Sequence, residues 1–356
     1  MLQELRAFLP MAEKVKARNP TMPILNHLCV ENRSMRITDL NTTVIIPVDD
    51  DRSFTLPITI MKQILKQRPA EMDIQLQERN KVQIRYDGNC VTFPAMEFVE
   101  YPSIPKGKYT RIGTWPPELF LQLFKQLDFV SRDELKPALN GIWIKQDDTL
   151  ISCATDGHYM EYMENLQELD GCKMDNHFEG ILSAKVITIM ARFFRSSITV
   201  SGSENFIRFE LPNGIQVYSR LIDEHFPDID AILKHPKSNT ITLDKKELLR
   251  AIKSCLPFTN SETKLGVLSV KNGAIAIMTK DHENAIDFNT SIQTLKRKGV
   301  EVDIGFNMAF LEKVINSISS DTINWLYENN TSACLFRSPD NDDKTHLLMP
   351  VRLEED

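Results

Sequence analysis

No GxxxxGK[ST] phosphate loop occurs in the 356 residues, and no GxGxxG follows a strand-like run. The chain therefore offers no standard cradle for a nucleoside triphosphate or a dinucleotide. Its seven histidines form no HExxH or HxH pair. Its six cysteines (Cys29, Cys90, Cys153, Cys172, Cys255, Cys334) form no CxxC pair. This scatter excludes the usual zinc spacings and a disulfide framework, and it fits single buried thiols in a reducing compartment. Neither a metal nor a cofactor is expected. No apolar run is long enough to span a bilayer. The first residues are amphipathic and lack a small-residue cleavage site, so they read as a domain's first helix and not a signal peptide. There is no low-complexity segment, and only the acidic end Glu354-Glu355-Asp356 reads as disordered.

What is present is a repeat. Six helix-like stretches begin at residues 3, 58, 116, 185, 244 and 307, with steps of 55, 58, 69, 59 and 63 residues. A spacing this regular marks a repeat architecture. The stretches 58–68, 185–195 and 307–318 are each followed by period-two strands joined by tight turns. Met72, Ile74 and Leu76 alternate with polar residues, as do Val82, Ile84 and Tyr86 ahead of an Asp87-Gly88 turn. The later copies use Pro212-Asn213-Gly214 and Asn329-Asn330 as turns. Antiparallel meanders buried under helices on one face give an α+β class. Residues 101–109 and 224–240, the latter with Pro227 and Pro236, read as linkers. They divide the chain into domains 1–109, 110–236 and 237–356.

Charge is segregated. The formal net charge is −7, yet the six helical stretches sum to +10, leaving −17 elsewhere. Stretches 58–68 and 185–195 each carry three cations and no acid. Lys185, Arg192 and Arg195 share one helical stripe with Thr188, while Lys246, Arg250 and Lys253 form another. Such faces create a local positive field that the net charge conceals. Each stripe taken alone also fits a solvated helix face.

The most motif-like segment is Ala154-Thr-Asp-Gly-His-Tyr159. Cys153, Asp156 and His158 could be read as a nucleophile, an orienting acid and a base. All three lie within six residues at a strand end, whereas a catalytic triad is assembled by the fold from separate places. Asp-Gly is the expected hairpin turn, so a turn shaping a surface groove is the better reading. The clusters 49–51 and 340–343 read as solvated acidic loops. The apolar end 345–353 reads as a final strand that either closes its sheet or lines a groove for a partner.

Six segments then match one family in order: Pro20-Thr-Met-Pro-Ile-Leu25, Leu139-Asn-Gly141, Ala154-Thr-Asp-Gly-His158, Ser219-Arg-Leu-Ile-Asp-Glu-His-Phe-Pro-Asp228, Ile304-Gly-Phe-Asn307 and Met349-Pro-Val-Arg-Leu353. With the threefold repeat, the chain resembles the bacterial DNA polymerase III beta subunit, the DNA sliding clamp family. The resemblance implies three similar clamp domains, helices lining a central hole, antiparallel sheets outside, and a head-to-tail homodimeric ring. It implies a processivity factor and not an enzyme. Such a factor encircles double-stranded DNA in the bacterial cytoplasm, at the nucleoid, with no membrane contact. Its implied partners are the replicative DNA polymerase, a clamp loader and other proteins carrying a clamp-binding motif. The alternative is a clamp-fold module that binds partner peptides without encircling DNA.

Residue by residue, the resemblance and the charge pattern give three sets. DNA contacts are expected from Lys16, Arg18, Lys62, Lys66, Arg68, Lys125, Lys185, Arg192, Arg195, Lys246, Arg250 and Lys253. A peptide pocket is expected from Lys136, Leu139, Thr155, Gly157, His158, Tyr159, Met160, Pro227, Ile232, Asn307, Phe310, Met349, Pro350, Val351, Arg352 and Leu353. The contact between copies is expected from Val91 and Phe93 on one side and Leu256, Pro257 and Phe258 on the other. The chain departs from the family in having Lys136, Tyr159 and Ala231 where arginine is frequent. It also has Pro137 and Ala138 where aromatic residues are frequent, and a tail beyond Leu353.

Overall fold

The computed structural model describes residues 1–17, 20–78, 81–234, 237–281 and 284–353, with only the backbone of Asp342. Arg18, Pro236 and the tail 354–356 lie outside the described residues. The helices are α1 (Leu2–Val15), α2 (Ile58–Lys66), α3 (Pro117–Gln126), α4 (Ala184–Phe193), the short α5 (Ile229–Leu233), α6 (Lys245–Cys255) and α7 (Met308–Ser317). They coincide with the six expected stretches apart from α5. Helices above antiparallel sheets make the class α+β, as the alternation required.

The chain forms two compact units. The first contains residues 1–125, 144–150 and 166–224. Its main sheet runs Lys173–Met174, Thr110–Trp115, Ile198–Gly202, Phe206–Glu210, Gln216–Arg220, Thr42–Pro47, Ser34–Thr38, His27–Glu31, Phe54–Pro57, antiparallel throughout. A separate three-stranded sheet holds Met72–Gln77, Lys81–Tyr86 and Asn89–Pro94. Helix α1 packs on α2 and on α4. Its Leu5, Phe8, Leu9 and Ala12 are buried, spaced at helical period as an amphipathic helix requires.

The second unit contains residues 126–143, 151–165 and the described residues from His225 on. In one sheet Tyr159–Met163 pairs with Asn341–Leu348, followed by Cys334–Ser338, Thr322–Tyr327, Asn239–Asp244 and Lys296–Lys298. A second sheet orders Ile286–Gln293, Ala274–Asp281, Leu265–Lys271 and Val302–Asn307. Helices α6 and α7 pack together. Trp325, Phe306 and Phe336 form one aromatic core, with ring centroids 5.8 to 6.3 Å apart.

Several expectations are corrected. Lys16, Arg68 and Arg195 were placed on helices, yet all three lie just past a helix end. Lys16 is extended and Arg68 has φ +55°. Arg195 turns back to donate to the carbonyls of Ala191 (2.7 Å) and Phe194 (2.8 Å), which suits a cation at the negative end of a helix. The segment 224–240, expected as a linker, contains α5, whose N-terminus is capped by Asp228 and whose Ile229 is buried. The terminal strand ends at Leu348 and not at Leu353. The cysteines are not uniformly buried, since Cys90 is exposed.

In the second unit a polar side-chain pair lies inside the sheet. Glu161 and His346 face each other across the ladder, with Oε2 to Nε2 at 2.9 Å and both side chains almost wholly buried. Gln126 holds this strand too, donating to the Glu161 carbonyl at 2.9 Å. Removing one member leaves a buried polar group without its partner, at a cost of about 1–3 kcal/mol, whereas replacing both with apolar groups costs far less. Urea unfolding should accordingly show His346→Leu strongly destabilised and the His346→Leu/Glu161→Leu double variant partly recovered. Additive losses would contradict the coupling.

Candidate functional site

The Thr155-Asp156-Gly157 turn is built by its own side chains. The Thr155 hydroxyl accepts from the Gly157 N–H (3.0 Å) and donates to the Tyr159 carbonyl (2.8 Å). The Asp156 Oδ1 accepts from the N–H groups of His158 (2.8 Å) and Tyr159 (3.1 Å). Gly157 has φ +97°, a region that favours glycine. This geometry disposes of the catalytic reading. Asp156 is committed to backbone, and its Oδ1 lies 3.8 Å from His158 Nδ1. Cys153 is fully buried, and burial together with the Glu161 charge pushes its thiol well above the usual range. A buried thiol of that kind is no nucleophile.

The terminal segment lies against this turn. The Met349 N–H donates to the His158 carbonyl, and the Val351 N–H to the Gly305 carbonyl, both at 2.8 Å. Gly305 is bare because the segment passes over it. A Cβ there would sit 2.8 Å from both the Val351 oxygen and Leu353 Cδ2. Leu139 and Lys136 stand beside Gly157, each with an atom 3.9 Å from where a Cβ would be.

Phe310 of α7 brings a further wall. Its ring centroid is 5.0 Å from that of Tyr159 and 5.8 Å from that of His158. Asn307 fixes the start of α7 by accepting from the N–H groups of Ala309 (3.0 Å) and Phe310 (3.2 Å). On the opposite face of the Tyr159–Met163 strand, Cys153, Met160, Tyr162, Ile229, Leu335 and Leu347 pack together. Trp143 stacks on Phe226 alongside, at 5.6 Å. Ile232 remains 37% exposed and Met349 40% exposed. The result is an apolar cleft walled by polar backbone, suited to an apolar chain segment.

Of the expected pocket residues, Lys136, Leu139, Thr155, Gly157, His158, Tyr159, Phe310, Met349, Val351 and Leu353 are linked by these contacts. Met160 and Ile232 join through the cluster and α5. Asn307 acts by capping α7. Pro227, Pro350 and Arg352 lie on the adjoining segments. Sequence reasoning missed Gly305, although it sits inside the Ile304–Asn307 motif, because a bare glycine announces a close approach only when the approaching segment is known. It also missed Lys313. That ammonium lies 4.5 Å over the Tyr159 ring and donates to the Tyr159 hydroxyl (2.7 Å) and the Asp128 carbonyl (2.9 Å). Burial lowers its pKa and raises that of Tyr159.

The basic helix faces are less free than their sequences implied, because acids arrive from elements adjacent in space. Lys62 of α2 meets Glu13 of α1 at 2.5 Å. Lys185 of α4 pairs with Asp39 and reaches the Val15 carbonyl at the end of α1 (3.2 Å). Lys246 meets Asp321 at 3.3 Å and Lys253 meets Glu312 at 3.9 Å. Arg192 lies over the Phe124 ring at 5.7 Å. Lys66, Lys125, Arg192 and Arg250 are exposed with no acidic partner among the described residues. No group of three His, Cys, Asp or Glu side chains among the described residues could hold a metal, and no described helix is long and apolar enough to cross a membrane.

The interface candidates sit at sheet margins. Val91 and the buried Phe93 lie on Asn89–Pro94, one of the two outer strands of its sheet. Phe258, 39% exposed, stacks on Phe288 at 4.9 Å. Phe288 belongs to Ile286–Gln293, one of the two outer strands of the second unit's four-stranded sheet.

A repeated α+β frame with basic helix faces and an apolar cleft defines a binding protein of the clamp type. Family models agree. The DNA polymerase III beta subunit central domain matches residues 114–228, and its C-terminal domain matches 231–352. The beta sliding clamp of Pseudomonas aeruginosa is 22% identical over 360 residues, covering 97% of this chain and 96% of the relative. That of Bacillus subtilis is 21% identical, covering 86% and 82%. Among solved structures, the Bacillus subtilis DNA polymerase sliding clamp aligns with a TM-score of 0.87 at 21% identity, covering 99% of this chain and 98% of that one. The beta subunit from DNA polymerase of Streptococcus pyogenes aligns at 0.86 and 18% identity, with the same coverage. The chain belongs to the DNA polymerase III beta subunit family, the beta sliding clamps.

Gly305→Val should dislodge the terminal segment, since a side chain there collides with the Val351 carbonyl. Hydrogen exchange should quicken at the Val351 amide and leave Tyr159–Met163 protected. An unchanged Val351 amide would show that Gly305 does not carry the segment.

Proposed function

We propose that two copies of this chain join head to tail into a ring that slides on duplex DNA, and that the cleft of the second unit tethers its users. Each copy contributes domains 1–109, 110–236 and 237–356, with helices toward the hole and sheets outside. Lys66, Lys125, Arg192 and Arg250 meet phosphates without reading bases, which permits sliding. Lys16, Arg18, Lys62, Arg68, Lys185, Arg195, Lys246 and Lys253 add to the field, several of them through charge already shared with an acid. The outer strand Asn89–Pro94 meets the Leu256–Phe258 turn of the second copy, a heterologous contact that closes after two copies. The cleft accepts short apolar peptides from the replicative polymerase, the clamp loader and other clamp-binding proteins. The chain performs no catalysis, and opening the ring falls to a separate ATP-driven loader. The ring operates in the bacterial cytoplasm, beside the nucleoid.

The observation that carries the cleft assignment is the convergence of the 349–353 segment, the Thr155 turn and Phe310 on one apolar surface. A peptide such as Gln-Leu-Ala-Leu-Phe should bind with micromolar affinity, about −8 kcal/mol. Removal of residues 349–356 should abolish that binding while the dimer persists. Undiminished affinity after the deletion would refute the site.

For the hole, Lys66, Arg192 and Arg250 changed together to Glu should weaken DNA retention and spare peptide binding. The salt slope should fall by about 0.9 for each phosphate left without its cation. Retention equal to the parent's at the same ionic strength would mean that these cations are only solvated. For the ring, Phe258→Lys should sediment as a monomer. A parent chain that is itself monomeric at micromolar concentration would favour a peptide-binding module that does not encircle DNA.

A further inference from the structure

The first unit holds an apolar cleft of about 510 Å³. One wall is the start of α1, where Glu4, Ala7, Phe8 and Met11 recur at helical spacing and so share one face. A second wall is the chain leaving α4, from Phe193 to Ser196. Ile46 of the Thr42–Pro47 strand, and Leu211 and Ile215 of the turn before Gln216–Arg220, complete it. Phe8, Met11, Ile46 and Leu211 are buried, Phe193 and Ile215 are half-buried, and Ala7 is exposed. The walls are fixed in advance. The Gly214 N–H donates to the Leu211 carbonyl and the Leu211 N–H to the Ile215 carbonyl, both at 3.0 Å. Arg195 Nη1 closes the end of α4 on the Ala191 and Phe194 carbonyls.

The fold does not require an apolar lining at this place. In the second unit the same order, a helix and then three strands, runs from α7 through Thr322–Tyr327, Cys334–Ser338 and Asn341–Leu348. There the end of the helix and the turn before the last strand border a cleft of about 520 Å³, lined by Ser319, Ser320, Asp321, Ser338, Asp340 and Asn341 among others. Along the same margins the first unit has Phe193, Leu211 and Ile215.

Two charged side chains line the apolar cleft. Glu4 is already paired, with the Met1 amino group at 2.6 Å. Arg195 spends Nη1 on its helix end, while its Nε and Nη2 have no partner among the described residues. That free edge of the guanidinium is held in a fixed orientation and suits a carboxylate or sulfonate.

We propose that this cleft binds a small organic anion with an aromatic or branched apolar body, the body lying against Phe193 and Ile215 and the acid on Arg195. A volume of this size is that of a small-molecule site, apolar with one or two placed polar groups. Water finds few hydrogen-bond partners on such a lining, so an apolar body displaces it at little cost. The site is independent of the peptide cleft in the second unit.

The test titrates the full chain with 8-anilinonaphthalene-1-sulfonate, read by its fluorescence, with Gln-Leu-Ala-Leu-Phe present in excess to cover the second unit's cleft. One dye per chain should bind. Ala7→Trp should fill the cleft and weaken binding more than about tenfold. Ile215→Trp should do the same from the sheet, and it serves should Ala7→Trp disturb folding. Arg195→Gln should weaken the dye about fivefold, the most that an exposed ion pair contributes, and leave the uncharged N-phenyl-1-naphthylamine unaffected. The tryptophan variants locate the dye whether or not the peptide binds, so a failure of the peptide cleft leaves this result readable. Dye binding that ignores both tryptophans overturns the site. A loss in Arg195→Gln no greater for the charged dye than for the uncharged one overturns the choice of an anion. Dye released as the chain concentration rises gives the cleft to a second copy and overturns the small ligand.

Discussion

The ladder between Tyr159–Met163 and Asn341–Leu348 is the constraint on which the cleft depends. It brings the hairpin after residue 155 and the last segment of the chain together, although some 190 residues separate them in sequence. Its register sets Tyr159 opposite Leu348 and Glu161 opposite His346. A slip by one residue would turn every side chain of a strand to the other face. Glu161 and His346 would then no longer face each other, and a buried polar group left without its partner penalises the wrong register more than the contact stabilises the right one. With the register fixed, Met349 falls beside His158 and Val351 beside Gly305. The cleft is a consequence of sheet alignment and needs no dedicated loop.

Basic side chains perform a second task beside any contact with DNA. Arg6 reaches the Pro69 carbonyl past the end of α2, Lys185 the Val15 carbonyl ending α1, and Lys245 the Asn316 carbonyl near the end of α7. Terminal carbonyls of a helix lack intrahelical donors and carry its negative partial charge. Lys185 and Lys245 each satisfy such an end from a neighbouring helix, while Arg6 holds the chain three residues past one. The positive helix faces therefore divide into cations that hold helix ends or acids in place and cations left free in solvent. Lys185 belongs to the first group, while Lys66 and Arg250 belong to the second.

Much of this was legible in the sequence, for identifiable reasons. The helix positions followed from amphipathic period and from their own spacing, and the α+β class from alternating strands after each helix. The Thr155 turn was recognisable because Asp-Gly has few other uses between two apolar runs. Helix ends were read too long at Lys16, Arg68 and Arg195, since cations there serve a helix terminus as well as they would a helical face. The pairing of Lys62 with Glu13 and Lys185 with Asp39 was hidden, because charge summed along a helix omits acids brought by tertiary packing. Gly305 and Lys313 stayed silent for the same reason. Their roles exist only when the terminal segment and α7 are in place.

The central claim is that this chain holds DNA by enclosing it. It is tested most directly by placing the chain on a closed DNA circle with an ATP-driven loader and then cutting the circle once. Enclosure predicts that the chain co-elutes with the intact circle at a salt concentration that strips ordinary phosphate contacts, and that it is released when the circle becomes linear. Equal retention on cut and uncut DNA, falling only with added salt, would contradict it.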